Sequence, residues 1–350
     1  MRQHLVDLLD VWQADYQDDW VVAILTHVQG SSYRKPGAIM FFHPLGKTLG
    51  MLSGGCLEAD LRRHAQRAIQ TQQVVQLTYD ATDESDTSYQ LGCGGIVNIM
   101  MLPINSSNQY LGLQKLYFDL NSGKTGEFQI DIAKQGTPSS QVRGKWQIKP
   151  KNQLVAKTTF IPSDDQDKSL TADGTHTNTH IDGQLIIAIT PPIHLGIFGG
   201  GLDAQPIAQM AAILGWQVTI FDERTAYARQ YDFPSANIMK MPFDGVNDEV
   251  YQTLDAAFVM THNLILDAKA LNQLVKFNLG YISLLGPNHR RDKTLNIAQL
   301  NINDFSGYFS APAGLALGGE LPSSVGLSML AQCHGILHNS QLISLDKVMR

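Results

Sequence analysis

Apolar runs and amphipathic stretches alternate along the first hundred residues of the chain. The continuous apolar runs at 20–28 and 96–104 are typical of buried strands, and 38–52 predicts a hairpin of two short strands. Apolar positions from 57 to 69 recur at helical spacing and predict an amphipathic helix. We therefore expect residues 1–104 to form an α/β domain.

The middle of the chain has a different pattern. Residues 105–190 are rich in Asn, Ser, Gln, Thr and Lys and contain short alternating runs. This composition predicts a variable, β-rich connecting segment. Its stretch 162–183 holds almost no apolar residue and is expected to be a flexible surface loop.

From residue 191 onward, short apolar runs are separated by stretches long enough for helices. The predicted strands are 194–199, 217–222, 256–262 and 281–286. Strand alternating with helix is the pattern of a parallel, doubly wound sheet. The sequence thus predicts a mixed α/β protein in which 191–350 form a Rossmann-like domain, closed by a helix near 322–338.

Composition narrows the class of protein. The chain has 350 residues, 43% of them hydrophobic, and a formal net charge of −6, which favours a globular protein and disfavours a broad nucleic-acid surface. No apolar stretch is long enough to cross a membrane. The 3 cysteines are far apart and do not form a disulfide framework, so we expect a protein of the reducing cytoplasm.

A dinucleotide-binding motif follows the first predicted strand of the C-terminal region. Gly199, Gly201 and Ala204 have the GxGxxA spacing, and Asp222 ends the next predicted strand. A carboxylate there binds the ribose 2′-hydroxyl, which favours NAD(H) over NADP(H), although Arg224 lies nearby. The alternative is a Rossmann-like domain that is empty or holds another nucleotide.

Residues for hydride transfer are not evident beside this motif. The sequence shows no Tyr-x-x-x-Lys pair and no cysteine with an obvious histidine relay. His262 and His289 fall near the carboxyl ends of predicted strands, where α/β sites lie. They either line a site or are ordinary loop histidines.

Two cysteines have glycine neighbours. Cys56 stands at the expected start of a helix, where a thiolate is stabilised, and Cys93 precedes a predicted strand. Each is a candidate nucleophile, sulfur carrier or metal ligand, or else a small buried residue in a tight turn. Cys333 falls at core spacing in the closing helix.

The chain resembles the XdhC/CoxI family, accessory factors for xanthine dehydrogenase and related molybdenum hydroxylases. In the N-terminal region the resemblance rests on GSSYRKPGAIMFF, LGMLSGGCLEADL and LGCGGIVNIMMLP. In the C-terminal region it rests on HLGIFGGGLDAQPIAQMAAILGWQVTIFDER, YISLLGPNHRR and APAGLALGGELPSSVGLSMLAQ. Several motifs in the expected order cover almost the whole chain, most weakly over 105–190.

This resemblance implies a chaperone without turnover chemistry. Such factors bind and protect the molybdenum cofactor, support its sulfuration by a cysteine desulfurase and insert it into an apo-hydroxylase. No direct metal ligand is implied, and a homodimer is compatible with the role. The implied cofactor site is Ser31, Ser32, Arg34, Gly37, Gly54, Gly55, Cys56, Gly92 and Cys93, and the implied dinucleotide site is Gly199, Gly201 and Asp222, with Arg224 beside it.

The glycine loop departs from the family pattern. Leu202 replaces the usual histidine, and Asp203 adds a negative charge where a phosphate would lie. Two alternatives therefore stay open beside the chaperone: an NAD(H)-dependent oxidoreductase and a non-catalytic NAD-binding regulatory module.

Overall fold

Two compact units make up the protein in the computed structural model. The structure describes residues 4–55, 57–80, 95–163 and 181–342. The N-terminal unit is Gln3–Pro191 and the C-terminal unit is Pro192–Arg350.

Antiparallel sheets form the N-terminal unit. Its helices are α1 (Leu5–Ala14), α2 (Glu58–Thr71) and α3 (Leu113–Asn121). Its strands are β1 (Trp20–Gln29), β2 (Ile39–Phe42), β3 (Thr48–Leu49), β4 (Val75–Asp80), β5 (Ile96–Ile104), β6 (Gly126–Ala133), β7 (Gly144–Ile148), β8 (Thr159–Pro162) and β9 (Ile181–Ile189). One sheet has the order β3-β2-β1-β5-β4 and the other β7-β6-β9-β8. The predicted hairpin is confirmed as β2 and β3.

The segment 105–190 shares a core with the residues before it. Trp12 of α1 and Trp20 of β1 belong to the same buried cluster as Leu116 of α3 and Phe128 of β6. The second sheet is therefore part of the unit. Most of the predicted loop 162–183 lies outside the described residues, and its two ends belong to β8 and β9.

A parallel sheet forms the C-terminal unit. Its helices are α4 (Ala204–Ile213), α5 (Asp248–Gln252), α6 (Leu264–Leu274), α7 (Asn288–Ala298) and α8 (Pro322–Leu337). Its strands are β10 (His194–Phe198), β11 (Gln217–Phe221), β12 (Asn237–Met239), β13 (Ala256–Val259), β14 (Tyr281–Leu284) and β15 (Tyr308–Ser310). Their order is β12-β11-β10-β13-β14-β15, which is Rossmann topology and confirms the predicted fold class. The strand order reverses between β10 and β13.

Helices cover this sheet on both faces, which explains the continuous apolar runs. Ile197 packs into one buried cluster and its neighbour Phe198 into another, because successive side chains point to opposite faces. Cys333 of α8 is buried in the first cluster, as its spacing predicts, and burial raises the pKa of its thiol. Within the described ranges, no helix combines the length and the apolar character needed to cross a membrane.

Candidate functional site

A cavity of about 280 Å³ lies in the N-terminal unit beside Arg34. Its wall includes Arg34 and Gly37 from the loop before β2 and Met51 from the segment after β3. Thr190, directly after β9, and His4, at the start of α1, complete its polar lining. Most of the remaining lining is apolar. The structure thus brings two of the predicted site residues, Arg34 and Gly37, to one cavity.

The charge of Arg34 has no counter-ion among the described residues. Its side chain is half-buried, and no described carboxylate lies within ion-pair distance of the guanidinium. The Ser32 hydroxyl donates a hydrogen bond of 2.5 Å to the Arg34 carbonyl and so stabilises the loop, whereas Ser31 is exposed. A half-buried cation without a partner favours the binding of an anion.

Gly37 has a backbone conformation that favours glycine. Its φ is +90°, and a Cβ there would lie 2.6 Å from Thr158 Oγ1. The glycine therefore holds the cavity wall close to the second sheet of the unit.

His4 is a cavity residue that sequence reasoning missed. Its Nδ1 accepts a hydrogen bond of 3.3 Å from the Val6 N–H, and Asp7 Oδ2 accepts one of 3.2 Å from the His4 N–H. Burial lowers the pKa of His4, although the charge of Asp7 opposes this. Arg34 is therefore the permanent cation of the cavity. The sequence signal was a capping pair three residues apart before an apolar helix pattern.

A small hydrogen-bonded clamp holds the residues on either side of Cys56. Ser53 Oγ accepts hydrogen bonds from the N–H groups of Gly55 at 3.3 Å and Leu57 at 3.1 Å. The same hydroxyl donates to Glu58 Oε2 at 2.6 Å. Ser53 and Glu58 therefore stabilise the described residues before and after Cys56, a role that sequence reasoning missed.

The other predicted residues of the N-terminal site are only partly described. Cys56, Gly92 and Cys93 lie outside the described residues, and Gly54 is exposed. Gly95, which is not one of the predicted site residues, packs against the backbone of Ser31: a Cβ on it would fall 2.1 Å from the Ser31 carbonyl oxygen.

The glycine loop of the C-terminal unit lies between β10 and α4. Gly199 has φ +117°, and a Cβ on it would lie 2.5 Å from the Met260 carbonyl oxygen, so only glycine fits. Ala204 is fully buried in the first turn of α4. The Gly200 N–H donates a hydrogen bond of 2.8 Å to Asp222 Oδ2, so the loop is tied to the end of β11.

Both carboxylate oxygens of Asp222 are engaged by protein donors. Asp222 is fully buried, and Arg224 donates to it from Nε at 2.8 Å, from Nη2 at 2.7 Å and from its N–H at 3.0 Å. Burial raises the pKa of Asp222, but the hydrogen bonds from Arg224 and Gly200 outweigh it, and the net pKa is lowered. The guanidinium also stacks 3.7 Å from the ring centre of Tyr227.

This arrangement does not fit a ribose-binding carboxylate. Asp222 has no exposed surface to offer a hydroxyl group, and Arg224 covers it. Asp203 Oδ1 lies 2.7 Å from where a Cβ on Gly201 would stand, so a negative charge borders the loop. Binding of NAD(H) stays a prediction.

A cluster of Asp15, Asp18 and His43 is the candidate for a metal centre among the described residues. The His43 Nδ1 accepts a hydrogen bond of 3.2 Å from the Leu45 N–H, so the neutral ring carries its proton on Nε2. That nitrogen lies 2.8 Å from Asp18 Oδ2, and Lys47 Nζ lies 3.7 Å from Asp15. These contacts describe a hydrogen-bonded cluster rather than a metal centre.

Comparison with known proteins agrees with this architecture. Residues 195–333 match the model of the XdhC Rossmann domain, and residues 14–80 match that of the XdhC and CoxI family. A protein from Bacillus subtilis (strain 168), described as a probable subunit of xanthine dehydrogenase, is 30% identical over 335 residues, which cover 93% of this chain and 95% of that protein. An uncharacterised protein, YqeB of Escherichia coli (strain K12), is 26% identical over 151 residues, 42% of this chain and 28% of that protein.

A solved structure extends the likeness to the whole fold. The crystal structure described as a xanthine dehydrogenase from Bacillus halodurans superimposes with a TM-score of 0.75 at 25% identity, and the match covers 99% of this chain and 100% of that one. The resemblance found in the sequence motifs is confirmed: the chain belongs to the XdhC and CoxI family.

Proposed function

We propose that this protein binds the molybdenum cofactor and delivers it to a molybdenum hydroxylase of the xanthine dehydrogenase type. The observation that carries the proposal is the cavity beside Arg34, in a chain of this family. The cofactor is cargo in this role, so the protein needs selective binding and release rather than turnover.

The cavity has the chemistry that the cofactor requires. A pterin is flat, so its ring faces can pack against the aliphatic side chains of α1, β2 and β9 that form much of the cavity wall. The cofactor phosphate needs a cation, and Arg34 offers a guanidinium without a counter-ion among the described residues.

The cysteines complete the proposed site. Met51 lines the cavity, and the chain continues from it to Ser53 and Glu58, which are hydrogen-bonded to each other and flank Cys56 in the sequence. A thiolate is a soft ligand that suits molybdenum and persulfide chemistry. Cys56 and Cys93 are therefore proposed to meet the molybdenum end of the cofactor, with Arg34 at its phosphate end.

Two partners follow from this role. The names of the Bacillus relatives associate them with xanthine dehydrogenase, which supports an apo-hydroxylase of that type as the recipient. A cysteine desulfurase is the proposed sulfur donor, because a factor that holds the cofactor between synthesis and insertion is placed to present it for sulfuration. A homodimer is part of the proposal.

Cofactor retention tests the proposal. Purified protein is mixed with freshly released molybdenum cofactor and ultrafiltered, and retained pterin is quantified by the fluorescence of its oxidised product. Wild type is expected to retain cofactor near stoichiometry. Arg34→Ala is expected to lower the affinity about tenfold or more, because hydrogen bonds to charged groups contribute about 1.5–3 kcal/mol.

Three further variants complete this experiment. Cys56→Ala and Cys93→Ala are expected to lose retention or sulfuration support. Lys35→Ala removes an exposed neighbouring cation and serves as the matched control, with retention like wild type. No retention by wild type contradicts the proposed function, and equal losses in Arg34→Ala and Lys35→Ala contradict the assignment of Arg34.

The NAD(H) alternatives are tested separately, by titrating NADH into the protein and following its fluorescence. Saturable binding by wild type would support the regulatory module, and hydride exchange with an aldehyde or a purine would support the oxidoreductase. The engaged oxygens of Asp222 weigh against both alternatives, which these measurements decide.

A further inference from the structure

Two side chains meet where the strand order of the parallel sheet reverses. Asp203 follows the glycine loop after β10, and His262 follows β13. His262 Nε2 lies 2.7 Å from Asp203 Oδ2. In open α/β sheets the crevice at this reversal, outside the carboxyl ends of the strands, is where ligands bind.

Asp203 does not act as an ordinary helix cap. It directly precedes α4 and already has helical backbone angles, with φ −72° and ψ −20°. Its side chain makes no capping hydrogen bond and is directed to His262 instead.

His262 is held in an uncommon backbone conformation. Its φ is +60°, in the left-handed region that residues other than glycine adopt uncommonly. The next residue, Asn263, caps α6 by accepting from Ile265 and Leu266 N–H groups. The preceding residue, Thr261, donates to Asp267 Oδ1 from its N–H at 3.0 Å and from its hydroxyl at 2.6 Å.

The charges around the pair are matched one to one. Arg224 pairs with Asp222, and Arg290 Nη2 lies 2.5 Å from Asp267, which is fully buried. Asp203 is the carboxylate left for His262. The hydrogen bond from Asp203 raises the pKa of His262; burial opposes this rise, Arg290 lowers the pKa, and the charges of Asp203 and Asp267 raise it.

The second ring nitrogen of His262 has no hydrogen-bond partner among the described residues. Asp203 orients Nε2–H, so Nδ1 of the neutral ring carries the lone pair, and no described residue bonds to it. The His262 side chain is 61% exposed. Leu202, which precedes Asp203 in the loop, and Ile265, in the first turn of α6, are exposed apolar side chains. They offer hydrophobic contact to a flat ligand.

We propose that Asp203 and His262 form an acid–base dyad that exchanges a proton with a small, flat weak acid, such as a phenol, an enol or a heterocyclic N–H compound, bound in the crevice between β10 and β13. The acidic X–H bond breaks, an Nδ1–H bond forms on His262, and the ligand keeps the electron pair as its anion. Asp203 stabilises the imidazolium through Nε2–H. No oxidant or reductant is needed, and the proposal does not rest on the proposed function.

A coloured weak acid tests the dyad. 4-Nitrophenol absorbs visible light strongly only as its anion, so proton transfer in the complex is read directly by difference spectroscopy. At a pH below the ordinary pKa of the phenol, wild type is expected to hold bound anion. His262→Asn is expected to lower the bound-anion signal about tenfold or more, and asparagine tolerates the left-handed backbone. Asp203→Asn should give an intermediate signal.

A control and a second readout keep the outcome decisive. His289→Asn removes an exposed histidine of α7 and should leave the signal unchanged. Nuclear magnetic resonance of labelled histidines should show that Asp203→Asn lowers the pKa of His262. The proposal is overturned if wild type holds no 4-nitrophenolate, if His262→Asn and His289→Asn behave alike, or if the pKa of His262 is the same in wild type and Asp203→Asn.

Discussion

The two units each present a half-buried arginine near a predicted binding loop, but in opposite electrostatic settings. Arg34 of the N-terminal unit faces a cavity and has no described counter-ion. Arg224 of the C-terminal unit makes three hydrogen bonds to the buried Asp222 and a fourth, of 3.0 Å, to the Thr261 carbonyl oxygen. One guanidinium is available to an anionic ligand, whereas the other stabilises its own fold.

This difference shows that residue type and position do not by themselves define a binding site. A cation attracts a ligand anion in proportion to the charge that its protein neighbours leave uncompensated. Both arginines follow motif residues in the sequence, and only their surroundings separate a binding role from a structural one.

The largest expected effect on stability comes from breaking the ion pair between Arg224 and Asp222. Arg224→Ala leaves the fully buried Asp222 without its cation, so the free energy of unfolding should fall by about 3 kcal/mol or more. Urea denaturation followed by circular dichroism measures the loss, and hydrogen exchange locates it in the C-terminal unit. Arg229→Ala removes an arginine that is 63% exposed and pairs with Asp232, and should change stability by less than about 1 kcal/mol. Equal losses of stability in the two variants would show that the burial of Asp222 does not cause the destabilisation.

Loss of the paired carboxylate of Asp119, in the N-terminal unit, should have the next largest effect on stability. Asp119 accepts hydrogen bonds from Lys115 at 2.5 Å, Lys124 at 2.9 Å and Trp146 Nε1 at 3.0 Å. The hydrogen bond from Lys115, then that from Lys124, lower the pKa of Asp119 to about 2, against the effect of burial. Asp119→Asn should lower the free energy of unfolding at neutral pH by about 2 kcal/mol.

The lowered pKa of Asp119 predicts how the stability of the protein changes with pH. The pKa of Asp119 is lower in the folded state, so its contribution is present above the ordinary value of 3.8 and is lost as the pH falls through about 2. Urea midpoints measured from neutral pH to about pH 2 should therefore fall less steeply for Asp119→Asn than for wild type. Parallel pH profiles of the urea midpoint for wild type and Asp119→Asn would contradict the lowered pKa assigned to Asp119.

A smaller loss of stability is expected from substituting Gly37 on the cavity wall. Comparison with Gly46 separates the contribution of backbone strain from that of steric crowding. Gly37 and Gly46 have φ of +90° and +89°, but only Gly37 has a neighbour, Thr158, where a Cβ would stand. Gly37→Ala should therefore destabilise the protein by about 1 kcal/mol more than Gly46→Ala. Thermal denaturation of the two variants gives the difference. Equal destabilisation would mean that the wall relaxes around the added carbon.

The smallest effect on stability should come from Arg34 itself. Because its charge has no described partner, Arg34→Ala should change the free energy of unfolding by no more than about 0.5 kcal/mol. Thermal denaturation measures this, with Lys35→Ala as the control. A loss as large as that of Arg224→Ala would make Arg34 a structural residue.

The fold was largely predictable, because the spacing of apolar residues can be read from a single sequence. The runs that became β10, β11, β13 and β14 are apolar on both faces, as a sheet covered on both sides requires. Helix α3 was not predicted, although Leu113, Leu116 and Leu120 keep helical spacing, because the surrounding polar composition favoured loops and strands.

The site was predictable only in part, since it depends on contacts between distant segments. The cavity joins α1 and the end of β9, which lie nearly the whole unit apart in sequence. The spacing of Asp222 and Arg224 is the same whether the carboxylate faces a ribose or the neighbouring guanidinium. Burial and side-chain geometry decide between these outcomes, and a sequence motif specifies neither of them.

Side-by-side cofactor retention by Arg34→Ala and Arg224→Ala tests the central contrast most directly. The ultrafiltration assay with fluorescent detection of the oxidised pterin reports affinity, and circular dichroism reports the folded fraction. Arg34→Ala should bind the molybdenum cofactor at least about tenfold more weakly while keeping wild-type stability, and Arg224→Ala should lose stability while its folded fraction keeps wild-type affinity. Full retention by Arg34→Ala, or a loss of affinity confined to Arg224→Ala, would contradict this account.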